Sequence, residues 1–471
     1  MESLRRPTPF GAQRFRGWFT QVLAYLGLRT VRPILGILVV GLAIRFFFLP
    51  LTDHPFDVYQ WYLAGQRIYS GQGLYSPIGP GFDYPPIWGG FIGVTDGLYN
   101  LLSPLVGANP MPESQAQALL GTGNDLGAPV VLSWLFVTLV KIPIILFDTL
   151  LTFLIYRVST QRLGFSPNQG RFAAGAFFLN PVVILTSSVW GQFDAIATYF
   201  LLLGILLFFD HHPVYSGLLF GLAAATKYFP VVVLLVIVIA LYSAHRRTDI
   251  LRTVAVFVTT VLVISLPFLV ASGASFVGGI LTPSVPRVQT EDSGWGVASY
   301  FLKVALPPWM SAATLVGAFA LLILLGLAFR AVWRGQPSRD GWIDLAILSI
   351  LAFYAVYETL NDQYFVWVMP FLAFDLVRHR STWPTYSVLS ILVIVHAVLS
   401  LAGTSFFLPA LTVSSQLKTI VVLTPPNSVT AAYAVAAAVY AVVIVLFAQH
   451  LLRLSRSPRR GRDWTASPSP T

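Results

Sequence analysis

The sequence predicts an all-α protein that crosses a membrane many times. Of 471 residues, 56% are hydrophobic and only 10% are charged, and the mean hydropathy is +0.73. Soluble domains carry about 25% charged residues, so a soluble fold is excluded. Apolar runs near the roughly 20 residues that a transmembrane helix needs recur along the chain, and we count about 12 of them.

The predicted spans belong to one domain over residues 1–452. They lie near 33–51, 129–156, 172–188, 195–209, 214–227, 228–243, 252–270, 311–333, 342–358, 363–378, 385–403 and 429–452. Two large external loops, 52–128 and 271–310, interrupt them. The basic, Ser/Pro-rich stretch 453–471 predicts a disordered cytoplasmic tail.

The arginines fix the predicted orientation. If the apolar stretch 87–105 crossed the membrane, Arg157, Arg162 and Arg171 would face outward, against the positive-inside rule. We therefore predict interfacial helices within the first loop and both termini in the cytoplasm. The net charge of +10 then reflects membrane orientation and indicates no nucleic-acid partner. The absence of cysteine excludes disulfides and thiolate chemistry.

The first external loop is too rich in polar and aromatic residues for a simple connector, and long structured loops are uncommon unless they carry function. Asp57, at the membrane face, suits a general base acting on a hydroxyl; alternatively, Asp53 or Asp57 caps a helix. Asp83 and Tyr84 precede two prolines, which force Tyr84 into an extended conformation. That turn either shapes a substrate pocket or anchors the loop at the headgroups.

Further polar residues lie at the external ends of predicted spans. Trp190, Gln192 and Asp194 offer a flat apolar face and hydrogen-bonding groups suited to a sugar, although Asp194 also suits a helix cap. Lys227 lies on the predicted external side, where the positive-inside bias disfavours a basic residue. Either a bound phosphate or snorkelling of the side chain to the interface explains its position.

Two outer segments carry the remaining candidates. Arg287 lies in the second large loop, and Asn361, Asp362 and Gln363 form a polar corner between two apolar spans. Both segments could instead be ordinary solvated loops.

Within the membrane, Lys141 and Asp148 share one face of the second span. Asp148 must be paired or face a cavity, and structural pairing is the favoured interpretation.

No metal signature, P-loop, GxGxxG or serine elbow is present. Asp57, Asp194 or Asp362 could supply oxygen ligands to Mg²⁺ or Mn²⁺, although nothing in the sequence requires a metal.

Together the motifs resemble a known superfamily. DYPP at 83–86, WGQFD at 190–194, TKYFP at 226–230 and NDQYFVW at 361–367 are similar to those of the GT-C membrane glycosyltransferases. Within that superfamily the chain resembles the second mannosyltransferase of glycosylphosphatidylinositol assembly and the dolichyl-phosphate-glucose-dependent glucosyltransferases. The resemblance covers roughly residues 46–370 and implies a GT-C-like helix bundle.

The resemblance also implies a reaction: inverting transfer of a hexose from a polyprenyl-phosphate donor to a lipid-linked, glycan or protein acceptor on the non-cytoplasmic face. Asp57 matches the catalytic base, with Asp53 as the alternative, while Lys227 and Arg287 would hold the donor phosphate. The substrate pocket would use Asp83, Tyr84, Trp190, Gln192, Asp194, Asn361, Asp362 and Gln363.

The rival interpretation is a transporter or flippase of lipid-linked sugars, which would carry midplane charges on broken helices. The one-sided placement of the polar residues favours the enzyme. Composition favours a bacterial plasma membrane, and a monomer is the default expectation.

Overall fold

The computed structural model describes residues 32–75, 82–123, 126–235, 247–281, 341–356, 361–400, 405–421 and 428–456, with Ile323, Gly326 and Arg330. Over these residues the chain is helical, apart from two short antiparallel strands, Met111–Pro112 (β1) and Val130–Val131 (β2). The α-helices, in chain order, are Leu35–Phe48 (α1), Pro55–Tyr69 (α2), Pro86–Val106 (α3), Glu113–Leu120 (α4), Trp134–Arg157 (α5), Pro167–Phe178 (α6), Pro181–Ile184 (α7), Asp194–Phe209 (α8), Pro213–Ala224 (α9), Arg247–Leu281 (α10), Gly341–Val356 (α11), Met369–Arg378 (α12), Trp383–Ser400 (α13), Ala410–Val413 (α14) and Ser428–Arg456 (α15).

Several of these helices can cross a membrane. Within the described ranges, four are long and apolar enough, or five if a bent pair counts as one span. They lie in 134–162, 247–280, 380–399 and 434–453, and the bent pair covers 167–190. The protein is therefore a multi-pass membrane protein. The predicted count of about 12 spans is not reached among the described residues, and the predicted span 311–333 lies almost wholly outside them.

Three predicted boundaries differ from the structure. Helix α10 continues to Leu281, past the predicted loop start at 271, because apolar residues continue through a kink at Gly273. Helix α15 continues to Arg456 instead of ending at 452, and Arg453 in this extension bonds Asp375 at 3.0 Å. The predicted span 363–378 begins as a 3₁₀ turn, Asp362–Trp367, and becomes α-helical only at Met369, ahead of Pro370.

The described helices pack around several apolar clusters, of which two are large. Helix α5 packs on α3, α6 and α8, while α9 lies against both α8 and α10. On the other side, α15 packs on α11 and α13. The largest cluster includes Phe177, Trp342 and Phe374, whereas α2 and α3 pack in a second cluster with Trp61 and Trp88. Within the bilayer, close van der Waals packing and interhelical hydrogen bonds hold these helices together, because lipid tails are as apolar as the core.

The bent pair is broken at Asn180 and Pro181. Proline cannot donate the hydrogen bond that would continue α6, and the axis bends by 45° at this point. Asn180 compensates by accepting from the backbone N–H of Val182 at 2.8 Å and donating to Tyr386 and Ser390. After α7, the chain continues as a π-helix, Leu185–Trp190.

Helices α2 and α3 lie in close contact in the first loop. A Cβ at Gly65 would come within 2.7 Å of Cβ of Asp96, so glycine permits the approach. The carboxylate of Asp96 accepts from Gln66 and Asn100, each at 2.8 Å. Helix α3 is not among the described helices that are long and apolar enough to cross a membrane.

Ion pairs also link helices that are distant in the sequence. Arg45 of α1 contacts Asp148 of α5 at 3.0 Å, and both side chains are fully buried. Asp148 is therefore paired structurally, as predicted. At the other end of the bundle, Arg378 bonds Asp344 at 2.8 Å.

Candidate functional site

Asp57 is held by two donors from a distant segment of the chain. Oδ2 of Asp57 accepts from Nε1 of Trp190 at 2.8 Å and from Nε2 of Gln192 at 2.6 Å. The Asp57 side chain remains 21% exposed. The structure thus brings together three residues that the sequence analysis singled out from two separate motifs.

The cap of helix α2 is His54, and neither aspartate serves as the cap. Nδ1 of His54 accepts from the backbone N–H of Asp57 at 3.2 Å. The His54 ring also stacks on Trp190, with centroids 4.8 Å apart. Asp57 is consequently in the first turn of α2, where the helix dipole favours a carboxylate, and its side chain points to the WGQFD segment.

Asp53 differs from Asp57 in its exposure. It is 2% exposed, and among the described residues its Oδ1 has no hydrogen-bond partner. Burial raises the pKa of Asp53 to about 7, opposed by the positive charge of Lys141. A pKa near neutrality suits a general base, but a base must also lie within hydrogen-bonding reach of its substrate. Asp57 is the more accessible of the two carboxylates.

The WGQFD segment turns sharply between the π-helix and α8. Gly191 has φ +97°, a left-handed conformation that glycine adopts without strain. After this turn, Phe193 stacks on Trp88 at 4.4 Å and meets the edges of Trp61 and Tyr84. Phe193 therefore fixes the segment against the aromatic residues of the first external loop.

Asp194 and Lys227 form a buried ion pair. Nζ of Lys227 lies 2.8 Å from both carboxylate oxygens of Asp194, and Nε1 of Trp367 donates to Oδ1 at 2.5 Å. Asp194 is the first residue of α8 and makes no side-chain cap. The predicted cap role is thus replaced by a link between α8, the Lys227 corner and the turn before α12.

Aromatic rings surround the ammonium group of Lys227. Nζ lies 4.7 Å from the ring centroid of Phe193, 5.5 Å from Tyr364 and 5.6 Å from Tyr84. Aromatic faces stabilise a cation at such distances. The DYPP turn is held beside this corner, because the backbone N–H of Ile87 donates to the carbonyl of Ala225 at 3.1 Å.

The 361–363 corner contributes to the site mainly through its neighbours. Asp362 is buried and contacts Nδ1 of His396 at 3.0 Å, and Gln363 is also buried. Tyr364 and Trp367, just beyond the predicted trio, are the residues that reach Lys227 and Asp194. Asn361 precedes this turn. Asp83 lies half-buried next to Tyr84, and Arg287 lies outside the described residues.

The sequence motifs did not predict that His54 and Trp367 belong to the site. A histidine just before an Asp-bearing helix, and a tryptophan within NDQYFVW, were the available signals. Neither signal indicates the contact that the residue makes across the fold. His54 stacks on the remote Trp190, and Trp367 donates to Asp194, from which 173 positions separate it. The sequence placed Lys141 within a span but did not predict its contacts with Thr52 and Ser188.

The carboxylates named for a divalent cation have other partners in the structure. Lys227 contacts both oxygens of Asp194, and His396 contacts both of Asp362. Across the described ranges, the one group with three ligand atoms in mutual reach is Asp344, Asp375 and His450, at the other end of the bundle. Arg378 and Arg453 already bond its two aspartates.

Comparison with known proteins shows which families the chain resembles. The model of glycosyltransferase family 87, one of the GT-C families, matches residues 128–355, which include Asp194 and Lys227 but not Asp57. With the site described above, this match confirms the resemblance predicted from the motifs. Over these residues, just under half of its length, the chain is similar to the GT-C membrane glycosyltransferases.

Two individual proteins are also similar to the chain. GPI mannosyltransferase 1 of Saccharomyces cerevisiae is 23% identical over 269 residues, which cover 54% of this chain. The match spans 66% of the yeast protein, just under two thirds of its length. The crystal structure of ArnT from Cupriavidus metallidurans bound to undecaprenyl phosphate has a TM-score of 0.46 and 14% identity, covering 90% of this chain and 78% of that one.

Proposed function

We propose that the protein transfers a hexose, with inversion, from a polyprenyl-phosphate donor to a hydroxyl of a lipid-linked, glycan or protein acceptor. Asp57 serves as the general base. The observation that carries this proposal is the position of Asp57, partly exposed and held by Trp190 and Gln192. Because both hydrogen bonds go to Oδ2, Oδ1 is the oxygen available to an acceptor hydroxyl.

In the proposed step, Asp57 takes the proton of the acceptor hydroxyl while the hydroxyl oxygen attacks the anomeric carbon of the donor sugar. The bond from that carbon to the phosphate oxygen breaks, and its electron pair leaves with the polyprenyl phosphate. Attack opposite the leaving group inverts the anomeric carbon. The two donors to Asp57 orient the carboxylate and limit its motion, which favours a reactive geometry.

Negative charge develops on the phosphate as this bond breaks, and we assign Lys227 to stabilise it. The pairing with Asp194 makes the corner nearly neutral before the donor binds. An ammonium group has three donors, so Lys227 can bond Asp194 and still offer a proton to the phosphate. Trp367 supports this arrangement by donating to Asp194 from the opposite element.

The proposed reaction takes place at the non-cytoplasmic face. The end of the bundle opposite the site carries Arg157, Arg162, Arg378 and Arg453, a bias typical of the cytoplasmic side. A lipid-linked donor can then place its headgroup near Lys227 while its chain stays in the bilayer. We further propose a bacterial plasma membrane and cytoplasmic termini, as composition and charge predict.

The function is tested by incubating the purified protein in detergent with polyprenyl-phosphate mannose and polyprenyl-phosphate glucose. Polyprenyl-phosphate mannose is tested first because the similar yeast protein is named a mannosyltransferase. Products from a panel of glycan, lipid-linked and peptide acceptors are scored by mass spectrometry. We expect one sugar–acceptor pair to give an inverted linkage. Movement of an intact lipid-linked sugar across proteoliposomes without transfer would instead identify a flippase.

The same assay tests the use of a metal. The residues proposed for the step supply a base and a cation without a metal, so we expect EDTA to leave the rate unchanged. Loss of transfer with EDTA and recovery with Mg²⁺ or Mn²⁺ would show that the reaction requires a divalent metal ion.

A further inference from the structure

We propose that Lys141 is a positioning residue that holds Asp57 against Trp190 and Gln192. This inference rests on the proposed function and adds to it a residue that touches no reacting atom. Lys141 is fully buried in α5, a helix that crosses the membrane. A buried lysine at that depth needs a specific set of partners.

The partners of Lys141 are oxygens from two distant chain segments. Its Nζ donates to the carbonyl oxygen and the hydroxyl of Thr52, and to the carbonyl of Ser188 at 2.8 Å. A longer contact of 3.4 Å reaches the carbonyl of Leu49. Lys141 thus joins the start of the first external loop to the chain just before the WGQFD segment.

These two segments run side by side from Lys141 to Asp57. The hydroxyl of Thr52 donates to the carbonyl of Ser188 at 3.1 Å, and the backbone N–H of His54 donates to the carbonyl of Trp190 at 3.0 Å. The final links are those from Trp190 and Gln192 to Asp57. We call residues 52–57 and 188–192 the paired segments. Lys141 lies at one end of the pairing and the proposed base at the other.

Lys141 also satisfies carbonyls that the helices cannot satisfy themselves. Leu49 follows the last residue of α1, and Ser188 is in the last turn of the π-helix that ends at Trp190. The final carbonyls of a helix lack donors within it and favour a nearby cation. One ammonium group therefore closes two helix ends at the same point. This accounts for a lysine in the outer half of a span, against the predicted charge bias.

The side chain of Lys141 packs against the turn as well. A Cβ built at Gly191 would lie 3.4 Å from Cε of Lys141. The same residue therefore supports both the backbone of the first loop and the turn that aims Gln192. Loss of its ammonium group would take away the donor to the Thr52 and Leu49 carbonyls, leave the Ser188 carbonyl with the Thr52 hydroxyl, and so loosen both segments.

The principal test is Lys141→Met, which keeps an unbranched side chain as far as the ε position and removes the ammonium group. A misplaced base lowers the rate of the chemical step, so we expect kcat for sugar transfer to fall by about 10²-fold. KM for the donor should stay within about twofold. Thr52→Val, which removes only a hydroxyl, should give a smaller loss of the same kind. A raised KM with unchanged kcat would overturn the proposal.

A double-mutant cycle distinguishes positioning from general destabilisation. If Lys141 acts through the paired segments, Lys141→Met should cost less than about tenfold in kcat once Gln192→Ala has already released Asp57. Independent effects would multiply, and multiplication would contradict the inference. Arg378→Met provides a control at the other end of the bundle: it breaks the pair with Asp344 and should lower thermal stability without changing kcat per folded molecule.

A distance measurement makes the test independent of activity. The chain has no cysteine, so spin labels can be attached at Tyr69→Cys in α2 and Leu146→Cys in α5, both exposed positions. We expect Lys141→Met to shift or broaden the distance distribution between the labels, and Arg378→Met to leave it unchanged. An unchanged distribution in Lys141→Met would refute the positioning role. If the wild-type protein transfers no sugar, the proposed function fails, while this measurement still decides whether Lys141 holds the segment.

Discussion

Nε2 of Gln192 lies 2.6 Å from Oδ2 of Asp57, although 135 positions separate the two residues in the chain. This hydrogen bond joins the first external loop to the WGQFD segment. It brings two motifs that are individually weak together into one candidate site.

Replacement of Asp57 by asparagine should abolish sugar transfer. A positioned general base contributes roughly 10²–10⁴-fold to a rate, and an amide cannot take up the proton. The measurement is single-turnover transfer, with folding followed by size-exclusion profile and melting temperature.

Asp96→Asn is the matched control, because Asp96 is a buried carboxylate of the same loop with only structural partners. It should lose stability and keep kcat. If Asp57→Asn retained activity while Asp53→Asn lost it, the base would be Asp53.

Trp190→Phe should lower kcat by about tenfold or more, since a hydrogen bond to a charged group contributes roughly 1.5–3 kcal/mol. The phenyl ring retains an aromatic surface opposite His54, so the variant loses the donor to Asp57 and part of the buried ring volume. The measurement is steady-state kinetics with varied donor and acceptor.

Trp88→Phe serves as the comparison. Its Nε1 is buried and has no hydrogen-bond partner among the described residues. Equal losses of kcat in the two variants would argue against a specific role for the donor from Trp190.

Lys227→Met should destabilise the protein by about 3–5 kcal/mol, because it leaves the buried carboxylate of Asp194 without its cation. The double variant Lys227→Met/Asp194→Leu should recover much of that stability. Melting temperature and donor KM are the two readouts.

The double variant separates two roles of the lysine. If Lys227 binds the donor phosphate, the double variant should regain stability but keep a raised KM for the donor. Recovery of both stability and donor affinity would show that the ion pair is purely structural.

Arg45→Met should destabilise the bundle by a similar 3–5 kcal/mol, because Asp148 then stays buried and unpaired. Thermal unfolding in detergent measures the loss. Transfer per folded molecule should be unchanged, since the pair lies outside the proposed site. A large fall in kcat at full folding would place Asp148 in the mechanism.

The sequence predicted the helical class, and it pointed to three residues that the structure brings into contact, for a physical reason. Apolar runs and arginine bias are local signals, and Asp57, Trp190 and Gln192 lie in short motifs that can be read directly. The partner of Asp148 could not be read in this way, because Arg45 approaches from another helix. The length of α10 was also missed, since its kink at Gly273 resembles a loop signal.

The roles of the polar corner were predicted less well. Asp362 stood out by composition, yet it pairs with His396 inside the bundle. The residues that reach the site, Tyr364 and Trp367, are aromatic, and many aromatic residues near spans serve only as membrane anchors. Only the three-dimensional arrangement separates these two uses.

The five-residue run from Trp190 to Asp194 has an implication for how substrate range can change. Its first and third residues hold the proposed base, and its last residue pairs with the proposed phosphate ligand. Any shift of this run would displace the proposed base and the proposed phosphate ligand together. We therefore expect few substitutions in this run to be compatible with activity. We expect new acceptors to be accommodated by the surrounding loops, above all the part of the first loop that packs on residues 405–421, while this run keeps its geometry.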